Sequence, residues 1–225
     1  MSIKININKK QYKIPDRLTV EQYSKSIQFD WSDPKYYPMI VSQLTGAPIK
    51  QLMLADEEAM TLAIAFIVKA MNDRNQCQII DLDTMTFGQF VDLDVYVTGG
   101  LEQNFSAIID IIAPDAQYAD EAMWVVDQWI AFRTYTYRQY AELFGLNEFA
   151  EEDDQIQKDK QASARAWYKI IVGLAQSNLL QLDAVTDQPL KKVLNFMALQ
   201  KEQQMEENQR KLKERRHYDL QRTRR

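Results

Sequence analysis

The sequence predicts a mainly α-helical bundle with a small amino-terminal β-hairpin and a long protruding carboxy-terminal helix. Three observations predict it. Apolar residues recur at three- and four-residue spacing along most of the 225-residue chain. Only the first fifteen or so residues alternate with a period of two. Glycine, at 6 residues, is too scarce for folds built on Gly-rich phosphate-cradling turns.

The hairpin comes first. Ile3, Ile5 and Ile7 alternate with Lys4, Asn6 and Asn8, Asn8-Lys9-Lys10 can turn, and Tyr12 and Ile14 return before Pro15 stops the strand. A lone two-stranded ribbon is marginal in water, so its apolar face is expected on helices or on a partner's sheet. Thr19-Val20-Glu21-Gln22 fits a capping box and starts a short helix to about Phe29. Pro34 suits the first turn of a second helix carrying Tyr37, Ile40, Val41 and Leu44, stopped by Gly46 and Pro48. Asp56 is a good N-cap for a helix to about Asn72, whose stripe of Met60, Ala63, Ile64, Ile67, Val68 and Met71 belongs in the core.

Gln78-Ile79-Ile80 is read as a brief strand or an extended linker. Thr86 then caps a helix through Phe87, Phe90, Val91, Leu93 and Val97, closed by Gly99-Gly100. A further helix runs from Leu101 to Ile112. From Tyr118 to Phe144 the chain is rich in aromatics, including Trp124, Trp129, Phe132, Tyr137 and Tyr140, and reads as one long helix or two joined at a kink. The acidic run Glu151-Glu152-Asp153-Asp154 starts a helix through Trp167, Ile170, Ile171 and Leu174. Residues 179–188 read as a connection, with Asp187 and Pro189 opening a final helix. Leu190, Val193, Leu194 and Met197 give that helix an apolar side, which thins to Met205 and Leu212 beyond Gln200. Those two are one heptad apart, but their companion seam positions are Lys, Gln and Asn, so a stable self-contained coiled coil is not expected there. The expected divisions are thus 1–16 for the hairpin, 17–178 for the helical body and 187–225 for the arm.

Composition excludes several chemistries. The single cysteine, Cys77, rules out an intramolecular disulfide and any multi-Cys zinc or iron–sulfur site, and the single histidine, His217, rules out a His cluster; no cofactor is expected. No run of about 18 apolar residues exists to span a membrane. The alternating amino terminus is unlike a secretory signal, so the chain is expected to remain in the compartment where it is made.

Charge is strongly segregated. Residues 208–225 hold eight basic residues (Arg210, Lys211, Lys213, Arg215, Arg216, Arg222, Arg224, Arg225) against two acidic ones. That balance of +6 leaves −11 on residues 1–207 out of the whole-chain −5. The basic residues are the candidate partner-binding set. Read functionally, they meet an acidic neighbour, such as the body of a second identical subunit, or DNA phosphates contacted without sequence preference; read plainly, they are a solvated, partly disordered terminus.

The other candidate residues each have a simpler reading. Ile79-Ile80-Asp81-Leu82-Asp83-Thr84 has the two carboxylates, one residue apart, of haloacid-dehalogenase-type magnesium phosphotransferases. Met85 stands where that motif has Thr or Val, and the alternating strands and helices such a site needs are missing, so loop and N-cap carboxylates are expected. Asp92 and Asp94, two apart on a helix, are expected to face solvent. Cys77 is expected as a small, at least half-buried side chain. The aromatics of Trp124–Phe144 are expected in core or subunit-interface packing rather than as nucleic-acid stacking platforms, because the body is acidic.

Two stretches carry a resemblance. Leu44-Thr45-Gly46-Ala47-Pro48-Ile49-Lys50-Gln51-Leu52 and Met85-Thr86-Phe87-Gly88-Gln89-Phe90-Val91-Asp92-Leu93 resemble segments of small helical structural proteins of tailed bacteriophages. These are proteins of the neck and tail modules, crAss-like phages included, and tail-assembly-chaperone-like proteins; the similarity covers roughly residues 35–112. The resemblance implies a non-enzymatic virion protein, a ring or adaptor subunit of the head–tail connection assembled in the host cytoplasm, with portal, neck or tail proteins as partners. The alternative it implies is a tail-assembly chaperone not retained in the virion.

Overall fold

The structure, a computed structural model, describes residues 3–7, 10–72, 74–144 and 160–222. Strand β1 (Ile3–Ile7) pairs antiparallel with β2 (Lys10–Ile14), Ile3 opposite Ile14 and Ile7 opposite Lys10. The turn residues Asn8 and Lys9 lie outside the described residues. The ribbon gains the support it needs from helices: Ile14 is buried, and the Tyr12 hydroxyl donates to Gln51 Oε1 at 2.9 Å.

The rest of the described chain is mainly α-helical. The helices are α1 (Val20–Ser26), α2 (Tyr37–Thr45), α3 (Ile49–Leu52), α4 (Glu57–Asn72), α5 (Phe87–Thr98) and α6 (Leu101–Ile112), followed by α7 (Ala119–Gln139), α8 (Ala141–Phe144), α9 (Lys160–Leu174), α10 (Leu182–Thr186) and α11 (Leu190–Arg222). The aromatic-rich stretch is therefore two helices broken at Tyr140. In α4, Met60, Ala63, Ile64 and Ile67 are buried as the stripe requires. Gly46 closes α2 at φ +72°, a left-handed conformation that a side chain would strain.

One junction is built twice. At α1, the Gln22 N–H donates to Thr19 Oγ1 at 3.1 Å and the Thr19 N–H to Gln22 Oε1 at 3.0 Å. At α5, Thr86 and Gln89 repeat this reciprocal box at 3.2 and 3.0 Å. Each capping threonine also bridges to the residue ahead of another helix. Ala119 N–H donates to the Leu18 carbonyl and Val20 N–H to that of Gln117; likewise Leu190 N–H donates to Met85 and Phe87 N–H to Gln188. The starts of α7 and α11 are thereby pinned to the starts of α1 and α5.

Helix α5 packs against α6, α9, α10 and α11, and buries Phe87, Phe90 and Leu93 completely. Phe90 meets Trp129 of α7 and Trp167 of α9 edge to face, with ring centroids 5.5 and 5.9 Å apart.

Some boundaries differ from expectation. Helix α1 stops at Ser26 rather than near Phe29. Residues 179–188 are not a plain connection: they form a 3₁₀ turn, Leu179–Gln181, and then α10, because Asn178 Oδ1 accepts the Leu180 N–H at 3.1 Å and nucleates the turn. Asp187 does not cap α11. Pro189 occupies the capping position, its carbonyl accepting from Lys192 and Val193, while the bridge to Met85 uses the Leu190 N–H. The acidic run 151–154 lies outside the described residues.

A second polar anchor ties the amino-terminal segment to α7. Arg17 Nη2 lies 2.6 Å from Asp120 Oδ2 and 2.8 Å from Glu121 Oε1, its guanidinium stacks 3.9 Å above the Tyr118 ring, and Asn75 donates to Asp120. Burial alone would raise the Asp120 pKa, but the hydrogen bonds from Arg17 and Asn75 outweigh it and hold the carboxyl below its ordinary value. Its stabilising contribution is therefore present above the unfolded value of about 3.9 and is lost as pH falls through the lower folded value. In urea titrations across pH, the stability gap between wild type and Asp120→Asn should shrink below about pH 4. A gap constant from neutral pH into acid would contradict this account.

Candidate functional site

The residues that build α11 are mostly Gln, Glu, Lys, Arg, Leu and Met, all good helix formers, so the helix persists where packing no longer supports it. Ion pairs one turn apart add to this: Glu207 with Lys211 at 2.7 Å and Arg210 with Glu214 at 3.1 Å. Its first turns form a root. Leu190, Val193 and Leu194 are buried, Lys191 Nζ reaches Asp83 Oδ1 at 2.7 Å, and the Tyr140 hydroxyl donates to Asn195 Oδ1 at 2.7 Å. Lys201 Nζ, donating to the Glu142 carbonyl, makes the last such polar contact with the body among the described residues.

From Glu202 to Arg216 every residue is exposed. At 1.5 Å per residue, the helix from Glu202 to Arg222 extends for roughly 30 Å. Of the sequence-predicted partner-binding residues, Arg210, Lys211, Lys213, Arg215 and Arg216 sit on this exposed helix. Arg222 is its last residue, and Arg224 and Arg225 lie outside the described residues. The arrangement is a charged rod rather than a cleft. It suits broad electrostatic contact, in which each exposed ion pair contributes less than about 1 kcal/mol.

The candidate chemical residues fall elsewhere. Residues 74–80 are irregular, with the Ile80 N–H donating to the Ile112 carbonyl, so the strand end that a phosphotransferase site uses is not formed there. Asp81 Oδ1 accepts the Asp83 N–H at 3.0 Å and caps the 3₁₀ turn Leu82–Thr84, while Asp83 pairs with Lys191. No group of three metal-ligating side chains occurs among the described residues. Cys77 is half-buried, and burial together with the Glu121 and Asp120 carboxylates pushes its thiol pKa up, away from the reactive thiolate. Among the aromatics of 124–144, Trp129 is fully buried whereas Tyr135 is exposed. No helix among the described residues is long and apolar enough to cross a membrane.

One expectation is overturned. Asp92 is exposed, but Asp94 is not solvent-facing: it is only 2% exposed, deep among α5, α7 and α9. Its Oδ1 accepts from Arg133 Nε at 2.6 Å and from the Tyr137 hydroxyl at 2.9 Å, and its Oδ2 from Trp167 Nε1 at 2.8 Å. Burial, then the adjacent carboxylate, drives the Tyr137 phenol far above its ordinary pKa, so it stays a donor. A signal was available: Asp94 lies seven residues after Phe87 and four after Phe90, on the apolar face of its helix. Partners for it sit 39 to 73 residues further along the chain, beyond the reach of local pattern.

Removing that carboxylate leaves Arg133 facing a buried void. Asp94→Ala should lower unfolding free energy by about 3 kcal/mol or more, read by denaturant titration, against less than about 0.5 kcal/mol for Asp92→Ala. Equal effects would refute the distinction.

Comparison with protein-family models, with curated proteins and with solved structures finds no match to this chain.

Proposed function

We propose that the chain is a non-enzymatic virion structural protein of a tailed bacteriophage, a ring or adaptor subunit of the head–tail assembly that oligomerises through its helical body and its carboxy-terminal arm. The observation that carries the reading is the helix Glu202–Arg216, exposed along its whole length and bearing five of the eight basic residues of the 208–225 segment, in a chain whose residues 1–207 balance to −11. A polar rod gains little by folding onto its own domain and is suited to a neighbour's surface. The body supports the same reading with exposed apolar side chains on helices or their approaches: Leu62 and Phe66 one turn apart on α4, and Met53 and Leu54 just before it. Apolar faces supply affinity and the charged arm steers and registers the subunits. The bacteriophage assignment rests on the similarity of residues 44–52 and 85–93.

Deleting residues 208–225 should leave the thermal unfolding of the body unchanged while impairing assembly, read by native mass spectrometry. If the truncated chain assembles as the full chain does, the reading is wrong. Detection of the protein in purified virions at a fixed copy number separates a ring subunit from an assembly chaperone, which would be absent.

A further inference from the structure

We propose that two copies of the chain pair their arms antiparallel, along the face of α11 that carries Phe196, Leu199, Gln203, Glu206, Arg210 and Lys213. This deepens the reading of α11 as an oligomerisation element and rests on it. The positions step by three and four residues alternately, the spacing of a helix-pairing seam. All are turned away from the body, whose side of the helix is Leu190, Val193, Leu194 and Lys201. Phe196 and Leu199 are each 51% exposed, unusual for large apolar side chains at the root of a docked helix, and the four polar positions are exposed as well.

The order of charges selects the direction. In a parallel pair, Glu206 faces Glu206, Arg210 faces Arg210 and Lys213 faces Lys213, and every charged layer repels. In an antiparallel pair centred on Asn208, Glu206 of each copy is level with Arg210 of the other, and Gln203 with Lys213. Glu202 and Arg216, flanking the seam, stand two residues from level and within side-chain reach of each other. Phe196 and Leu199 come level with helix positions 220 and 217 of the second copy. Arg210 shares its guanidinium between this contact and its own Glu214. A largely ionic seam makes the pair salt-sensitive. It is an isologous contact that closes at two copies, so it describes the free chain; a cyclic ring exchanges it for heterologous contacts.

The test uses sedimentation equilibrium of the full chain and two double variants, with helix content checked by circular dichroism. Wild type should form a dimer that weakens about tenfold or more as salt rises past a few tenths molar. Glu202→Lys with Glu206→Lys, and separately Arg210→Glu with Arg216→Glu, should each self-associate about tenfold or more weaker than wild type, while their equimolar mixture restores the dimer as a heterodimer. In the mixture each matched pair of charged residues is again of opposite sign. If the lysine variant alone associates as tightly as wild type or tighter, the basic arm lies on an acidic body, which overturns the arm pair and leaves the oligomerisation reading standing. A wild-type chain that stays monomeric at all concentrations, or a mixture that fails to restore the dimer, also overturns the pair. Unimpaired assembly after deletion of 208–225 is the separate result that removes the reading beneath it.

Discussion

A carboxylate withdrawn from water is tolerated only when its charge and lone pairs are satisfied, and the buried Asp94 meets that condition with three donors from two other helices. Arg133 and Tyr137 come from α7 and Trp167 from α9, so the position of one oxygen pair on α5 dictates how three helices approach each other. The aromatic rings of Phe90, Trp129 and Trp167 fill the space around that node. Apolar burial supplies most of the driving force there, but it is indifferent to register. The directional bonds to Asp94 favour one arrangement among many of similar burial.

Because α5 is held by this node, whatever is attached to the start of α5 is held too. The Thr86 junction does both jobs in five residues, 85–89: it caps α5 through Gln89 and bridges to residues 188–190, fixing the direction in which α11 departs. The burial of Leu190, Val193 and Leu194 then secures the root. The same threonine device at Thr19 joins the hairpin side of the molecule to α7. Local capping chemistry is reused as tertiary fastening: the box satisfies the threonine's own N–H and carbonyl, and the extended backbone there leaves the carbonyl before it and the N–H after it to pair with a neighbouring segment.

A firmly held root and an unsupported distal helix divide the labour in α11. The root spends its apolar residues on the body. Beyond Lys201 the helix persists through propensity and its own ion pairs, and it presents charge at a distance from the acidic body. Each contact along such a rod is weak and salt-screened, yet together they favour one orientation of a partner over its reverse.

Much of this was legible in the residues. Capping boxes at Thr19 and Thr86, the glycine stop at Gly46, the stripe of α4 and the polar tail are local chemistry, set by side chains within a turn of each other, and the sequence by itself determined them. Asp94 shares a helix face with Phe87 and Phe90 where Asp92 does not, but only the tertiary structure made its burial tolerable, because the donors that satisfy it come from distant helices. The sequence marks Leu190, Val193, Leu194 and Met197 as one apolar side of α11, but it does not say that Phe196 and Leu199, large and apolar as well, are left half in water. Packing against α5 consumed one side and left the other in water, a choice that belongs to the surface a helix meets rather than to the helix.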